Sequence, residues 1–459
     1  MATALIAFVA HLGGVAPTTD VDAFVRREQA RQRIPGVAVA VVRGGRPIIL
    51  RGFGRANLEQ GTSVTPDTVF RIGSVSKQFL AAAVVKLAEE GKLHLDDEAS
   101  KFLPGAPPEW HGVTLRRLLS HTAGLPRELP GWRPDVRYTE DDWLRLAVAT
   151  KPTTSPGTSW TYSNAGYFVA ALVISRAAGI PWTDYVDRSL FRPLGMTRTR
   201  VDSSKDLISG RASGYELVGE SFRNDDPMVS VRPSGAFVST ARDLARWEAA
   251  LASGVVLPRN RIAEMTMPSR LLTGDRWPYG LGWYLDLFGA DPVVHHGGTI
   301  QGFRAEFARY VGKDLTVIVL ANAAHAQCKP IAQGLARRVE PSLTRTTVRL
   351  PRDPSPVMTS DVAAFLKSVS QGSTYDGDLA TDSLKSAIRG YPAPMRRELA
   401  TALSSVKYLA AEEVARHQLR QQNQEISRVR FYQVGPAFLT AYFTAEDKLA
   451  FFELSPDRP

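Results

Sequence analysis

Strand-like segments stand in two groups far apart in this chain, with helices and loops between them. Apolar residues alternate from Val37 to Val42, Gly44-Gly45 supplies a turn, and the run from Ile48 to Phe53 completes a predicted β-hairpin. Further strand patterns occur near 293–295, 303–311 and 315–321. Because these distant segments need one shared core, we expect a single antiparallel sheet built from both groups.

The residues between the two groups are predicted to be helical. A helix pattern runs from about Ser74 to Glu90 and stops at Gly91, and short helices and loops follow from about 95 to 225. The predicted fold class is therefore α/β, of the α+β kind. It has an antiparallel sheet flanked by helices over residues 25–350, and the insertion at about 95–225 forms the opposite wall of a cleft.

The end of the chain is predicted to be a separate, smaller domain. The proline-rich stretch Pro351 to Pro356 has the composition of a linker. Beyond it, residues 360–425 have a helical pattern whose longest run spans about 394–422. Three short strands are predicted near 427–434, 437–444 and 449–454. We therefore expect an accessory α+β domain over residues 351–459, with no role assigned.

The N-terminal residues carry two competing signals. The apolar run Ala4 to Ala10, followed by Gly14 and Ala16, resembles the core and cleavage region of a secretory signal peptide. No Lys or Arg precedes Arg26, so the alternative is an N-terminal strand or helix. The favoured interpretation is a shortened signal within residues 1–24, and hence a periplasmic or secreted protein.

Composition argues against several classes of partner. The net charge is +10, but Lys and Arg are scattered without a run of five or more, which indicates a solvated surface and no nucleic-acid site. Cys328 is the single cysteine, so no intramolecular disulfide can form, and its apolar neighbourhood predicts a buried, inert thiol. No apolar stretch reaches the roughly 18 residues of a membrane span.

The segment Ser74-Val75-Ser76-Lys77 has the residue types of an activated nucleophile. A serine at a helix start and a lysine one turn later share one face of the helix. A lysine whose pKa is depressed by burial or positive neighbours can remove the serine proton. The same spacing occurs at Ser404-Ser405-Val406-Lys407, within the predicted long helix, where we interpret it as solvated surface.

Two further motifs supply partners for such a nucleophile. Tyr162-Ser163-Asn164 enters an apolar helix, and it combines a phenol able to relay a proton with an amide able to grip a substrate. His295-His296-Gly297-Gly298-Thr299 ends an apolar run, and its glycines let a substrate backbone approach. The paired histidines lack a third ligand at helical spacing, so neither a metal nor any other cofactor is predicted.

The three motifs in this order resemble the serine β-lactamase and penicillin-binding protein superfamily, in particular its class C branch. The likeness spans roughly residues 25–345. It includes six further segments: Phe70-Arg71-Ile72-Gly73, Leu118 to Pro126, Pro193-Leu194-Gly195-Met196, Pro233-Ser234-Gly235, Ser239 to Leu244, and Tyr279 to Trp283.

The resemblance implies catalytic roles for Ser74 as nucleophile, Lys77 as base and Tyr162 as proton relay. It also implies substrate contacts at Asn164, His296 and Gly298, and an oxyanion hole formed by the backbone N–H groups of Ser74 and Thr299.

The third triplet is His-Gly-Gly, where class C β-lactamases usually carry Lys-Thr-Gly. A histidine holds a substrate carboxylate less strongly than a permanent cation does. The resemblance therefore favours a serine hydrolase acting on D-amino-acid peptides, including cell-wall peptides, or on small acyl esters. A β-lactamase is the alternative within the family, and a non-catalytic receptor or scaffold is the alternative of another class.

Overall fold

The computed structural model describes residues 18–225, 232–288, 291–343 and 356–371, together with parts of 377–455. Most of the predicted signal segment and of the predicted linker lies outside the described residues. The chain divides into two compact units, Met1–Arg345 and Thr346–Pro459.

The first unit contains blocks of strands separated by blocks of helices. Its strands are β1 (Gly36–Arg43), β2 (Arg46–Asn57), β3 (Thr62–Ser63), β4 (Phe70–Arg71), β5 (Arg200–Val201), β6 (Tyr215–Val218), β7 (Ser221–Asn224), β8 (Phe237–Ser239), β9 (Ser269–Arg270), β10 (Arg276–Trp277), β11 (Tyr284–Phe288), β12 (Asp291–Ile300), β13 (Phe303–Tyr310) and β14 (Leu315–Ala321). Its helices are α1 (Thr18–Arg31), α2 (Lys77–Glu89), α3 (Leu115–Leu119), α4 (Glu140–Val148), α5 (Asn164–Ala178), α6 (Trp182–Val186), α7 (Ala241–Ser253), α8 (Arg259–Met265) and α9 (Cys328–Val339).

A seven-stranded antiparallel sheet in the order β11-β12-β13-β14-β1-β2-β3 organises this unit. β1 pairs with β14, so that Val39 lies opposite Val319 and the two distant strand groups join at the sheet centre. The predicted fold class, an antiparallel sheet flanked by helices, is confirmed.

The central strands are buried on both faces because helices cover both sides of the sheet. Alternate residues of β1 enter different cores: Val39 packs with residues of α1 and α9, while Ala40 packs with residues of α2 and α7. An uninterrupted apolar run in β14 fits such a doubly covered position. Cys328, at the start of α9, is buried as predicted.

The second unit contains α10 (Pro356–Gln371), β15 (Val406–Glu413), β16 (Leu419–Gln421), β17 (Gln424–Ile426), β18 (Arg428–Val434), β19 (Ala437–Phe443) and β20 (Leu449–Ser455). Four of the strands form an antiparallel sheet in the order β15-β18-β19-β20.

The predicted long helix at about 394–422 is wrong, because β15 and β16 lie within that range. β15 contains good helix formers such as Leu409 and Ala410, but it pairs along its length with β18, and this pairing overrides local preference. Ser404, in the second Ser-x-x-Lys match, lies outside the described residues.

A buried ion pair ties α7 to the sheet. Arg309 of β13 donates to both carboxylate oxygens of Glu248 at 2.8 and 3.3 Å, and the two side chains are 10% and 7% exposed. Burial raises the pKa of Glu248, and the Arg309 guanidinium opposes that rise. The Glu248 carboxylate therefore stays ionised in this buried position only with Arg309 as its partner.

We expect Arg309→Met to lower the free energy of unfolding by about 3 kcal/mol at neutral pH, because it leaves a buried carboxylate unpaired. Without the guanidinium the pKa of Glu248 rises further, so the loss should shrink as the pH falls and the carboxyl group is protonated. Urea unfolding at several pH values measures this. Arg133→Met, in an exposed pair with Asp135, is the control and should change little. Equal losses in the two variants would contradict the prediction.

Candidate active site

The three motifs converge on Ser74, although they are distant in sequence. Ser74 lies in the 3-10 turn Gly73–Ser76, directly before α2, and is partly exposed. Lys77 Nζ lies 3.0 Å from Ser74 Oγ, and Tyr162 Oη donates to the same oxygen at 2.9 Å. The structure therefore brings the predicted nucleophile, base and proton relay together.

Lys77 is fully buried, and its Nζ has three polar neighbours. Besides Ser74 Oγ, these are Asn164 Oδ1 at 2.9 Å and the Ser234 carbonyl oxygen at 3.2 Å. Burial, followed by the positive charge of Arg232, holds the pKa of Lys77 well below its ordinary value. A lysine in this environment is available as an uncharged base.

Tyr162 remains a phenol in this environment. Burial raises its pKa to about 12, although the hydrogen bond to Ser74 and the charge of Arg127 act in the opposite direction. Its ring also lies 4.6 Å from Lys77 Nζ. The hydroxyl is therefore a proton donor to Ser74 Oγ, and a resting phenolate is disfavoured.

Asn164, the first residue of α5, bridges the base to a charged pair. Its Oδ1 accepts from Lys77, and its Nδ2 donates to Glu128 Oε1 at 2.6 Å. The same carboxylate oxygen accepts from Arg232 at 2.5 Å. The sequence analysis did not identify Glu128 or Arg232 as site residues, although each adjoins or closely follows a segment of the family resemblance.

A chain of hydrogen bonds joins the Tyr-x-Asn loop to β12. The Ser163 backbone N–H donates to His121 Nδ1 at 3.0 Å, so the proton of the neutral ring is on Nε2, 3.1 Å from Tyr279 Oη. Tyr279 Oη is 3.0 Å from His296 Nε2, and His296 Nδ1 donates to the Gly297 carbonyl at 2.7 Å. One set of proton positions satisfies all four contacts, and it leaves both rings neutral.

The environment of His121 and His296 also favours neutral rings. Burial, followed by the charge of Lys77, holds the pKa of both His121 and His296 well below the ordinary value. His121 also has φ of +64°, a conformation uncommon for residues other than glycine, which indicates backbone strain beside the loop that carries Tyr162.

The structure places His296 behind the site surface, and its direct contact with substrate stays a prediction from sequence. The side chain is 1% exposed, and its two ring nitrogens already hold Tyr279 and the Gly297 carbonyl. The sequence could not show this, because Tyr279 and His121 reach the ring only through the tertiary fold.

Two glycines let β12 pass against the start of α2. A Cβ at Gly298 would lie 2.0 Å from the Ile72 carbonyl oxygen, and one at Gly73, where φ is +50°, would lie 2.8 Å from Thr299 N. Both positions therefore require glycine. The close approach puts the backbone of Thr299 beside the turn that carries Ser74.

Aromatic rings line the site around Tyr162. The ring of Tyr284 is parallel to that of Tyr162, with centroids 6.3 Å apart, and Trp160 stacks on Trp277 at 5.1 Å.

Within the described ranges, no group of three or more His, Cys, Asp or Glu residues could hold a metal ion. In the same part of the chain no single helix is long and apolar enough to cross a membrane.

Comparison with known proteins identifies several relatives. Penicillin-binding protein 4* of Bacillus subtilis (strain 168) is 29% identical over 310 residues, which cover 62% of this chain and 67% of that protein. Protein flp of Staphylococcus aureus (strain MRSA252) is 24% identical over 312 residues, covering 66% of this chain and 62% of the relative. The chain thus matches less than two thirds of the length of the staphylococcal protein.

Solved structures agree at the level of the fold. The octameric penicillin-binding protein homologue from Pyrococcus abyssi matches with a TM-score of 0.64 and 20% identity, covering 95% of this chain and 89% of that one. A penicillin-binding protein from Bacillus halodurans matches with a TM-score of 0.60 and 23% identity, covering 68% and 98%.

The fold is that of the β-lactamase/transpeptidase-like superfamily. Residues 21–339 match the family described as Beta-lactamase, which is more than half of the chain, and the chain belongs to that family. Membership of this family fits a serine hydrolase.

We expect Tyr279→Phe to leave His121 Nε2–H and His296 Nε2 buried without partners, at a cost of about 1–3 kcal/mol in unfolding free energy. The hydrogen bonds from Ser163 through His121 and Tyr279 to His296 position β12 beside Ser74. Without Tyr279 Oη, acylation of Ser74 should therefore also slow by about tenfold or more. Urea unfolding and the rate of labelling by penicillin measure the two effects. Tyr138→Phe is the control, because the Tyr138 hydroxyl donates to the Gly131 carbonyl at the protein surface. If Tyr279→Phe lost stability but kept the wild-type labelling rate, these hydrogen bonds would not position β12 for acylation of Ser74.

Proposed function

We propose that this protein is a serine hydrolase that cleaves an amide or ester through an acyl-enzyme on Ser74. One observation carries the proposal: Ser74 Oγ lies within hydrogen-bond distance of both Lys77 Nζ and Tyr162 Oη. A base and an acid on one hydroxyl provide what nucleophilic catalysis by serine needs.

The neighbours of Lys77 orient its lone pair. A neutral amine has two N–H bonds, and two of the three neighbours of Nζ, the Asn164 and Ser234 oxygens, can only accept. When the amine donates to both, its lone pair faces the Ser74 hydroxyl. Lys77 then takes the Ser74 proton as Oγ forms its bond to the substrate carbonyl carbon.

The remaining steps follow from the same contacts. Negative charge that develops on the carbonyl oxygen would be stabilised by the backbone N–H groups of Ser74 and Thr299. As the bond from carbon to the leaving nitrogen or oxygen breaks, Tyr162 donates its proton to the leaving group and is reprotonated from Lys77. Water then attacks the acyl carbon and gives one proton to the uncharged Lys77. The bond from that carbon to Oγ breaks, Lys77 returns the proton to Ser74 Oγ, and the product acid leaves.

D-amino-acid peptides, cell-wall peptides among them, and small acyl esters are the substrates we favour, with β-lactams as the alternative. The names of the relatives support penicillin as an acylating probe. A receptor without catalysis is disfavoured, because a scaffold needs neither a buried lysine with a depressed pKa nor a phenol on the same serine. The periplasmic or secreted location remains a prediction from sequence.

We expect Ser74→Ala to reduce hydrolysis by several orders of magnitude, because it removes the nucleophile. Its thermal stability should change little. Intact mass after exposure to penicillin or a fluorophosphonate should show one adduct on the wild type and none on the variant. Ser404→Ala, from the second Ser-x-x-Lys match, should behave like the wild type. Retention of more than a few per cent of activity by Ser74→Ala would refute the assignment.

The pH dependence should respond to Arg232. Its positive charge lowers the pKa of Lys77, so Arg232→Gln should raise that pKa. The substitution also leaves the Glu128 carboxylate without its cation, and the negative charge of Glu128 raises the pKa of Lys77 too. Because the uncharged lysine is the active form, the acidic limb of the kcat/KM profile should move to higher pH. An unmoved acidic limb would contradict Lys77 as the base.

A further inference from the structure

Three charged side chains lie near the groups that contact Ser74 and Lys77, and they are not equivalent. Glu128 binds both Asn164 and Arg232, and the Arg232 guanidinium also lies 5.4 Å from the ring centroid of Trp132. Arg232 therefore has an acidic partner and a fixed place. Arg127 is exposed and forms no ion pair with any acidic residue among those the structure describes.

Arg127 is nevertheless held close to the reacting groups. Its backbone carbonyl accepts from the N–H of Asn164, which fixes the loop against the start of α5. Its guanidinium lies 5.5 Å from the ring centroid of Tyr162, whose hydroxyl bonds Ser74. The positive charge of Arg127 lowers the pKa of both Lys77 and Tyr162, so its field reaches the nucleophile.

The third motif supplies no competing cation. His296 is buried and neutral, and its ring nitrogens are occupied by Tyr279 and Gly297. A substrate anion near Ser74 thus faces an exposed guanidinium on the Arg127 side and a neutral backbone edge on the β12 side. Guanidinium groups bind carboxylates through two parallel hydrogen bonds and remain charged at all relevant pH values.

We infer that Arg127 is the specificity residue that selects substrates carrying a free carboxylate, and that it binds that carboxylate beside the ring of Tyr162. The inference rests on the proposed hydrolase function and narrows its substrate class to anionic amides or esters. Arg127 takes no part in the bond changes at Ser74, so neutral esters should react without it at a pH where Lys77 is uncharged in the variant as well.

The test compares pairs of substrates that differ only in charge. One pair is p-nitrophenyl hydrogen adipate and its methyl ester, with the carboxylate on the acyl side. The other is an N-acyl-D-alanyl-D-lactate and its methyl ester, with the carboxylate on the leaving side. We expect Arg127→Gln to lower kcat/KM for the acid of at least one pair by about tenfold, as for a lost charge-assisted hydrogen bond.

Controls separate this effect from general damage. Because loss of the Arg127 charge also raises the pKa of Lys77, the rates are compared at a pH above the acidic limb of both proteins. There the methyl esters should keep their kcat/KM within about twofold, because a neutral ester gains little from the cation. Arg127→Lys should retain part of the preference for the acid, Arg127→Glu should reverse it, and high salt should weaken it in the wild type. Arg133→Gln, on the same loop but paired with Asp135, should leave all four rates unchanged.

The two failures are distinguishable. Equal losses on the acid and the methyl ester in both pairs, or no loss on either acid, would overturn the role of Arg127 while leaving the hydrolase intact. Turnover of the methyl esters by Ser74→Ala would overturn the proposed function itself.

Discussion

The burial of Lys77 is the constraint on which the rest of the site depends. A lysine ammonium without access to water is costly, so its Nζ needs polar partners from its own helix and from distant parts of the chain. Asn164 on α5 and the Ser234 carbonyl provide them, and Ser74 is the third neighbour. The same burial that threatens stability depresses the pKa of the amine and makes it a base.

The surroundings of Lys77 remain neutral for a related reason. Burial disfavours the charged form of His121 and of His296, and positive charge on Lys77, when it is protonated, adds to that effect. His121, Tyr279 and His296 therefore form a chain of hydrogen bonds in which each ring nitrogen has one partner and the Tyr279 hydroxyl has two, accepting from His121 and donating to His296. The chain also fixes the distance between the Tyr162 loop and β12, and the glycines at 73 and 298 allow the close approach.

The charged side chains around Ser74 differ in how deeply they are buried. The inner layer holds Lys77 and neutral polar groups, while Glu128, Arg232 and Arg127 lie further out. Outer cations lower the pKa of the buried lysine without displacing it. Arg232 is neutralised by Glu128, and the exposed Arg127 remains to act on what approaches from solvent. Both arginines thus tune the base, and Arg127 alone is proposed to select substrate as well.

The sequence alone determined the strand hairpin and the antiparallel sheet, because periodicity is a local property. Its short motifs, with the family that they resemble, predicted roles for Ser74, Lys77, Tyr162 and Asn164. The sequence assigned no role to Glu128, Arg232 or Tyr279, and it did not predict the strand at Val406–Glu413 within an expected helix. Only the tertiary structure decided these, because a hydrogen bond between residues far apart in the chain leaves no local pattern. His296 shows the difference: its motif predicted a substrate contact, and two distant residues, His121 and Tyr279, place it in a buried neutral chain.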